Sequence, residues 1–363
     1  MSPSSLPVVP TPDLPGRGTP RNPRNRFERL EVDREPWTLL HDPSPRTRFY
    51  RDGSKTVLVT NDSPDVGLSV GLNPYRGCEH GCVYCYARAD HEYLGFSAGL
   101  DFETRIVVKA DAPSLLRDAL RRPSWAPCPI MLSGGTDPYQ PVERRLRLTR
   151  RCLEVLAEAR NPVGLITKNH GVTRDIDVLR ELDRHDAVAV TLSVTTLRRS
   201  LQKIMEPRTS TPLRRLDAVR RLADAGIPVG VNLAPIVPGL NDEEIPAILE
   251  AAAEAGARWA GYILLRLPHG LKALFDDWLA RHMPDRRERV LNRLRDAYGG
   301  RLYDARYGIR GKGTGSYAEQ IKQLYRAAAR KHGLDGPPPE LSTAGFRRPS
   351  PEGQLGLFPQ GPV

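Results

Sequence analysis

The sequence predicts an α/β fold built on a parallel sheet, and three observations carry that prediction. Short apolar, strand-like runs alternate with amphipathic stretches of helical period from Gly67 to Leu264. Stop and start signals fall between the runs, as in Ala225-Gly226-Ile227-Pro228, where a glycine stop is followed by a proline. Six strand-like runs are countable, short of the eight that a closed α/β barrel requires.

In order, the strands are expected at Gly67–Leu72, Ile130–Ser133, Val163–Thr167, Ala187–Val194, Val229–Leu233 and Trp259–Leu264. Helices are expected between them at Val142–Arg160, Arg174–His185, Pro212–Ala225 and Asp242–Ala255. Pro212 after Thr211 suits a first helical position, and Asp242, Glu243 and Glu244 place acid in a first turn. Strand, helix, strand in this order implies right-handed crossovers, with ligands at the C-terminal ends of the strands.

Outside this region the composition changes. Seven prolines occupy the first 24 positions, so residues 1–36 are expected to be a disordered, basic arm, followed by a small cap over 37–66 with a short strand at Lys55–Thr60. The core then covers 67–268. A helical C-terminal extension is expected over 269–335, interrupted by a glycine-rich connector at Gly308–Gly315, and a disordered Pro-rich tail over 336–363. The connector lacks the spacing of a phosphate-binding loop.

With 54 Lys and Arg against 43 Asp and Glu, the net charge is +11, and the isoelectric point is near 9.6. That balance favours phosphate backbones through counterion release, so nucleic acid is a candidate partner. An Arg-, Ala-, Gly- and Pro-rich composition also arises from GC-rich coding, which makes a merely solvated surface the competing account. No run approaches the roughly 18 apolar residues of a membrane span, and no leader pattern opens the chain. A cytoplasmic protein with no membrane partner is expected; a reducing compartment suits free thiols.

Three of the five cysteines, Cys78, Cys82 and Cys85, follow a C-x3-C-x2-C spacing on a glycine-punctuated loop after the first strand. Three thiolates on so short a loop can converge on a soft metal centre, and iron–sulfur clusters are normally held by four cysteines. One position is therefore left over: a cube of four irons and four sulfides held this way keeps one iron open to a small molecule. A structural zinc site would recruit His80 as fourth ligand, although the paired C-x2-C arrangement is missing. A disulfide would strand the third thiol.

The loop, with Tyr84 as the aromatic of C-x3-C-x-aromatic-C, resembles the signature of radical S-adenosylmethionine (radical SAM) enzymes, and residues 68 to about 265 fit that family's core. The Pro74-Tyr75-Arg76-Gly77-Cys78 lead-in is most similar to the spore photoproduct lyase-like branch. The resemblance implies an open (β/α)6 partial TIM barrel, a [4Fe–4S] cluster on the three cysteines, and S-adenosyl-L-methionine (SAM) as second cofactor. It also implies an external reductant, flavodoxin or ferredoxin, and reductive cleavage of SAM to a 5′-deoxyadenosyl radical that acts on a substrate, with nucleic acid among the candidates. Ser133-Gly134-Gly135-Thr136-Asp137 is similar to the family's Gly-Gly turn for the SAM amino group, with Thr136 and Asp137 in place of the usual Glu. Lys168, Ser193 and the segment opening at Pro235 match positions that contact SAM, and Tyr84 is placed to pack on adenine. Glu206 is expected either to orient substrate or to pair with Arg208, and Cys128 and Cys152 are expected to lie away from the chemistry. Two other functions stay open at this point: a nucleic-acid-binding protein with a structural three-cysteine metal site, and an iron–sulfur electron carrier or sensor.

Overall fold

The computed structural model describes residues 14–27, 46–60, 65 and 69–350. Ten strands are present among them: Arg48–Arg51 (β1), Leu58–Thr60 (β2), Val70–Leu72 (β3), Tyr75–Arg76 (β4), Arg105–Val108 (β5), Ile130–Leu132 (β6), Val163–Thr167 (β7), Val188–Ser193 (β8), Val229–Ile236 (β9) and Ala260–Leu264 (β10). The main sheet has the order β10-β9-β8-β7-β6-β3-β2. Its six strands from β3 to β10 are parallel and adjacent in chain order, with Leu72 beside Leu132 and Leu132 beside Leu165. A sheet that adds each new strand on the same side winds in one sense, as in a barrel, and this one stops at six parallel strands. The open six-stranded architecture expected from the sequence is the one observed.

The helices cover the sheet with apolar faces. Leu148–Ala159 buries Cys152, Leu153, Val155 and Leu156, and Pro212–Asp224 buries Ala218, Val219 and Leu222. The helix expected as one piece over Val142–Arg160 is broken at Arg147, whose φ of 50° separates Glu143–Leu146 from Leu148–Ala159. The strand at Leu58–Thr60, expected in a separate cap, joins the main sheet as its antiparallel edge. A second sheet, β1-β5-β4, was not evident from the sequence, because two of its strands are short and β1 is exposed along its whole length.

Both tails depart from the expectation of disorder where the structure describes them. Residues 14–27 lie in a polar seat against residues 88–105, held by the Asn25 amide on the Glu92 and Phe96 carbonyls (2.9 and 2.8 Å). Residues 336–350 run along the outer helices, with the Arg347 amide donating to the Ala159 carbonyl and Arg348 to that of Leu120. Neither segment has apolar periodicity; both are held by side-chain to backbone hydrogen bonds, which periodicity cannot reveal. The rest of the predicted arm and tail lies outside the described residues.

The C-terminal helices Leu271–His282, Pro284–Ala297 and Ser316–Lys331 form the extension. The glycine-rich connector before the last of them packs on the outer edge of β10: the Leu264 amide donates to the Gly311 carbonyl, and Lys312 Nζ donates to that of Tyr262 (2.8 Å). Lys312 Nζ also stands 3.7 Å from the centre of the Tyr262 ring, while the residue itself stays exposed. Among the described residues no helix is long and apolar enough to cross a membrane.

Candidate metal and cofactor site

Because the core strands are parallel, their C-terminal ends form one rim. The cysteine loop leaves β3, the Gly-Gly turn leaves β6, Lys168 follows β7, Ser193 ends β8, and Pro235 lies near the end of β9.

The three cysteines are free thiols, two of them buried. Burial pushes the Cys78 thiol well up, and so do the nearby Asp137, Cys82 and Cys85 charges, which places the three thiols in one electrostatic neighbourhood. Burial also raises Cys82 and Cys85, while the cation of Lys168 opposes it at both. Thiols so buried need a positive centre to ionise, and iron supplies one. Among the described residues no three His, Cys, Asp or Glu side chains are grouped to hold a single ion. A cubic cluster asks for something else, since each cysteine binds a different iron. His80 does not fit the fourth position of a zinc site: its Nδ1 lies 3.4 Å from Asp137 and its Nε2 lies 3.1 Å from the Asn169 amide nitrogen.

The Gly-Gly turn is held from behind by a residue that sequence reasoning passed over. Asn73 Oδ1, just after β3, accepts from the amides of Gly135 (3.1 Å) and Thr136 (3.3 Å). Gly134 has a φ of 105°, and a Cβ there would meet nothing within 4 Å, so open space stands in front of the turn. The Gly134 carbonyl, expected to be free for an ammonium group, accepts from the Tyr86 hydroxyl (2.7 Å). The Thr136 hydroxyl turns back to the Tyr75 carbonyl (3.4 Å).

Asp137 is placed as a clasp rather than as an open acceptor. Its carboxylate accepts from the Thr167 hydroxyl (2.7 Å), the Lys168 amide (2.8 Å) and the Tyr139 amide (2.9 Å). Burial works against its charge, but His80 and these hydrogen bonds outweigh burial and hold the acid at about 2. The clasp thereby ties the rims of β6 and β7 to the cysteine loop.

Tyr84, between two of the cysteines, is buried, and its hydroxyl donates to Glu206. Lys168 Nζ stands 5.8 Å from the centre of the Tyr84 ring. Glu206 also accepts from the Thr195 hydroxyl (2.6 Å) and from Arg215. Glu206 pairs with Arg215, then, and Arg208 pairs instead with Glu79 of the cysteine loop (3.3 Å). Burial opposes the Glu206 charge, and Arg215 and Lys168 hold it below the ordinary carboxylate range. Ser193 is buried, its carbonyl bound by Arg215 (3.0 Å). Pro235 follows a cis peptide bond, its carbonyl bound by Asn241, whose amide also reaches the Thr195 carbonyl (2.7 Å).

Apart from the Gly-Gly turn, the rim carries two cation–aromatic pairs near Tyr86. The Arg266 guanidinium lies 4.6 Å from the centre of the Tyr86 ring, and that of Arg310 lies 4.6 Å from that of Tyr307. Tyr86 is 40% exposed and Tyr307 55%. Cys152 is in the helical core, and Cys128 precedes β6 at the far end of the sheet, both away from the rim.

The half-barrel thus brings a three-thiol loop and an open Gly-Gly turn together on one rim. The family model described as Radical SAM superfamily matches residues 72–252. An uncharacterized protein of Mycobacterium bovis is 36% identical over 229 residues, 62% of this chain and 66% of the relative, just under two thirds of the relative's length. An uncharacterized protein of the Acidianus two-tailed virus is 30% identical over 56% of this chain and 70% of its own length. Among solved structures, a spore photoproduct lyase mutant with bound AdoMet and dinucleoside spore photoproduct matches with a TM-score of 0.57 at 17% identity, over 79% of this chain and 80% of that one. That likeness is one of fold. The chain belongs to the radical SAM superfamily of enzymes, whose cofactors are a [4Fe–4S] cluster and S-adenosylmethionine.

Proposed function

We propose that Cys78, Cys82 and Cys85 hold the cluster and that the space before Gly134 and Gly135 receives the methionyl end of SAM. The observation that carries this assignment is the placement of the three-thiol loop and the open Gly-Gly turn on adjacent strands of one rim. When bound, the cluster supplies the electron for reductive cleavage of SAM. The protein's own part is positioning: Asn73 fixes the turn, Lys168 offers a cation beside the thiols, and Tyr84 is locked by Glu206. Thr136, Asp137, Ser193 and Pro235, on the same rim, are assigned to the border of the SAM site, with Asp137 acting through the Lys168 amide and His80. An external reductant would complete the cycle, and a reducing compartment such as the cytoplasm would suit the free thiols.

The test is anaerobic formation of 5′-deoxyadenosine by the reconstituted protein with a strong reductant; no product with a full cluster and SAM present would sink the assignment. A narrower test uses Gly135. A Cβ at this position would lie 3.6 Å from the Asn73 side chain, an ordinary contact, so Gly135→Ala is tolerated by the protein itself. Gly135→Ala should bind SAM as the parent does, whereas the bulkier Gly135→Val would press on Asn73 behind the turn and should weaken SAM binding by displacing it, at unchanged iron content, as followed by isothermal titration. Parental affinity in Gly135→Val would place the ligand elsewhere.

Nucleic acid is the substrate class that the rim favours. The exposed Tyr86 and Tyr307 rings offer stacking surfaces for unpaired bases, with Arg266 over Tyr86 as the cation for a phosphate; Arg310, over Tyr307, is already paired with Asp65. Binding of single-stranded DNA or RNA should weaken steeply with salt. Replacing Arg266 by Gln should lower the slope of log K against log salt by up to about 1, if it meets one phosphate. An unchanged slope, or binding that never alters SAM cleavage, would leave a protein or small-molecule substrate.

A further inference from the structure

The N-terminal arm touches the cysteine loop itself. A Cβ added to Gly18 would lie 1.8 Å from the Gly81 carbonyl oxygen, so the two backbones are in direct contact at the turn between Cys78 and Cys82. Gly81 has a φ of 68°, and a Cβ on it would lie 2.7 Å from Glu103 Oε2. That same carboxylate oxygen accepts from the Gly18 amide (3.0 Å). The other oxygen of Glu103 accepts from Arg88 (2.5 Å), and both side chains of this pair are wholly buried. Arg88 in turn donates to the Cys82 carbonyl (2.9 Å) and to those of Ala98 and Gly99. One unbroken chain of contacts therefore runs from Gly18 through Glu103 and Arg88 to a cluster cysteine.

The rest of the arm is seated along the same excursion. The Leu100 amide donates to the Arg21 carbonyl (2.9 Å), Asn22 and Asp101 exchange two hydrogen bonds, and Arg26 pairs with Glu92 (2.6 Å). Leu14 and Thr19 are buried by this seating. A tail that was merely solvated would have no reason to bury a threonine or to approach a glycine turn backbone to backbone.

We propose that residues 14–27 are a clamp on the cluster loop. Glu103 is its positioning residue, joining Gly18 of the arm to Arg88, and the clamp fixes the Gly81 turn and shields the cluster from solvent. This rests on the assignment of the cluster to Cys78, Cys82 and Cys85. Gly18 is required because any side chain there would push the arm off Gly81.

The experiment compares the parent chain with Gly18→Val, Asn22→Ala and a chain lacking residues 1–27, with Arg24→Ala on the exposed side of the arm as control. Each is reconstituted anaerobically and challenged with EDTA, and loss of the cluster's charge-transfer absorption is timed. Gly18→Val and the shortened chain should lose the cluster roughly tenfold faster, the scale of one hydrogen bond lost from a buried charged group, with Asn22→Ala between them and the parent. Arg24→Ala should match the parent. Hydrogen exchange of the peptide over residues 78–88 is measured on the same proteins without iron and should be faster in the same variants. Parental rates of both cluster loss and exchange in Gly18→Val and Asn22→Ala would overturn the clamp, whether or not the shortened chain folds. If the parent itself takes up no iron, the cluster assignment fails, and the exchange comparison still decides whether the arm restrains the loop.

Discussion

Cys82→Ala should leave the reconstituted protein without a [4Fe–4S] cluster, its iron content falling from about four per chain to near zero. The expected loss is complete because two cysteines are too few to hold a cubic cluster. A neighbouring carboxylate or imidazole is a poor replacement for a thiolate on iron, and one Glu79 oxygen is paired with Arg208. The same outcome is expected for Cys78→Ala and Cys85→Ala. Cys152→Ala, in the helical core, should keep the cluster and cost only packing. Iron and sulfide analysis, with the absorption spectrum, checks all four. A full, SAM-responsive cluster in any one of the three loop variants would end the assignment.

The second large effect is expected at Glu206. Its carboxylate is wholly buried and is shared by Arg215, Thr195 and Tyr84. Glu206→Ala would leave the buried Arg215 guanidinium without its counter-charge, a change that costs about 3–5 kcal/mol in comparable pairs. Chemical denaturation of the iron-free chain should report a loss of that size. Glu206→Gln, which keeps the shape and an acceptor for Tyr84 and Thr195, should cost less than Glu206→Ala and should separate stability from site geometry. In that variant the Tyr84 side chain loses a charged partner while the fold persists, so a shift in the cluster's reduction potential is the specific sign that the network reaches the metal site. An unchanged potential together with parental stability in Glu206→Ala would mean that the pair is not formed in solution.

Much of this was legible before any coordinates, for physical reasons that differ from place to place. The six parallel strands announced themselves because a strand buried on both faces is a continuous apolar run, as Val163–Thr167 and Val188–Ser193 are. The cysteine loop was legible because its ligands are close in sequence. Asn73, Glu206 with Arg215, and Glu103 with Arg88 were not, since each acts across a separation that no local pattern records. The Gly81 turn could be suspected as a place needing positive φ, but nothing in the sequence says that Gly18 lies against it. Nor does the sequence say that the glycine-rich connector covers the open edge of β10, where Lys312 meets the Tyr262 carbonyl and ring.

That covered edge has a consequence for how the chain comes off the ribosome. Ala260 and Leu264 of β10 find their hydrogen-bond partners at Leu334 and Gly311, about 70 and 50 residues later in synthesis. At about 5–20 residues per second, the last parallel strand emerges several seconds before the segments that occupy its outer side. During that interval the nascent half-barrel presents an unpaired strand, a template on which a neighbouring copy can pair. Slower elongation through residues 265–334 should therefore lower the soluble yield without changing the stability of the folded chain, an outcome that synonymous slow codons over that stretch would check.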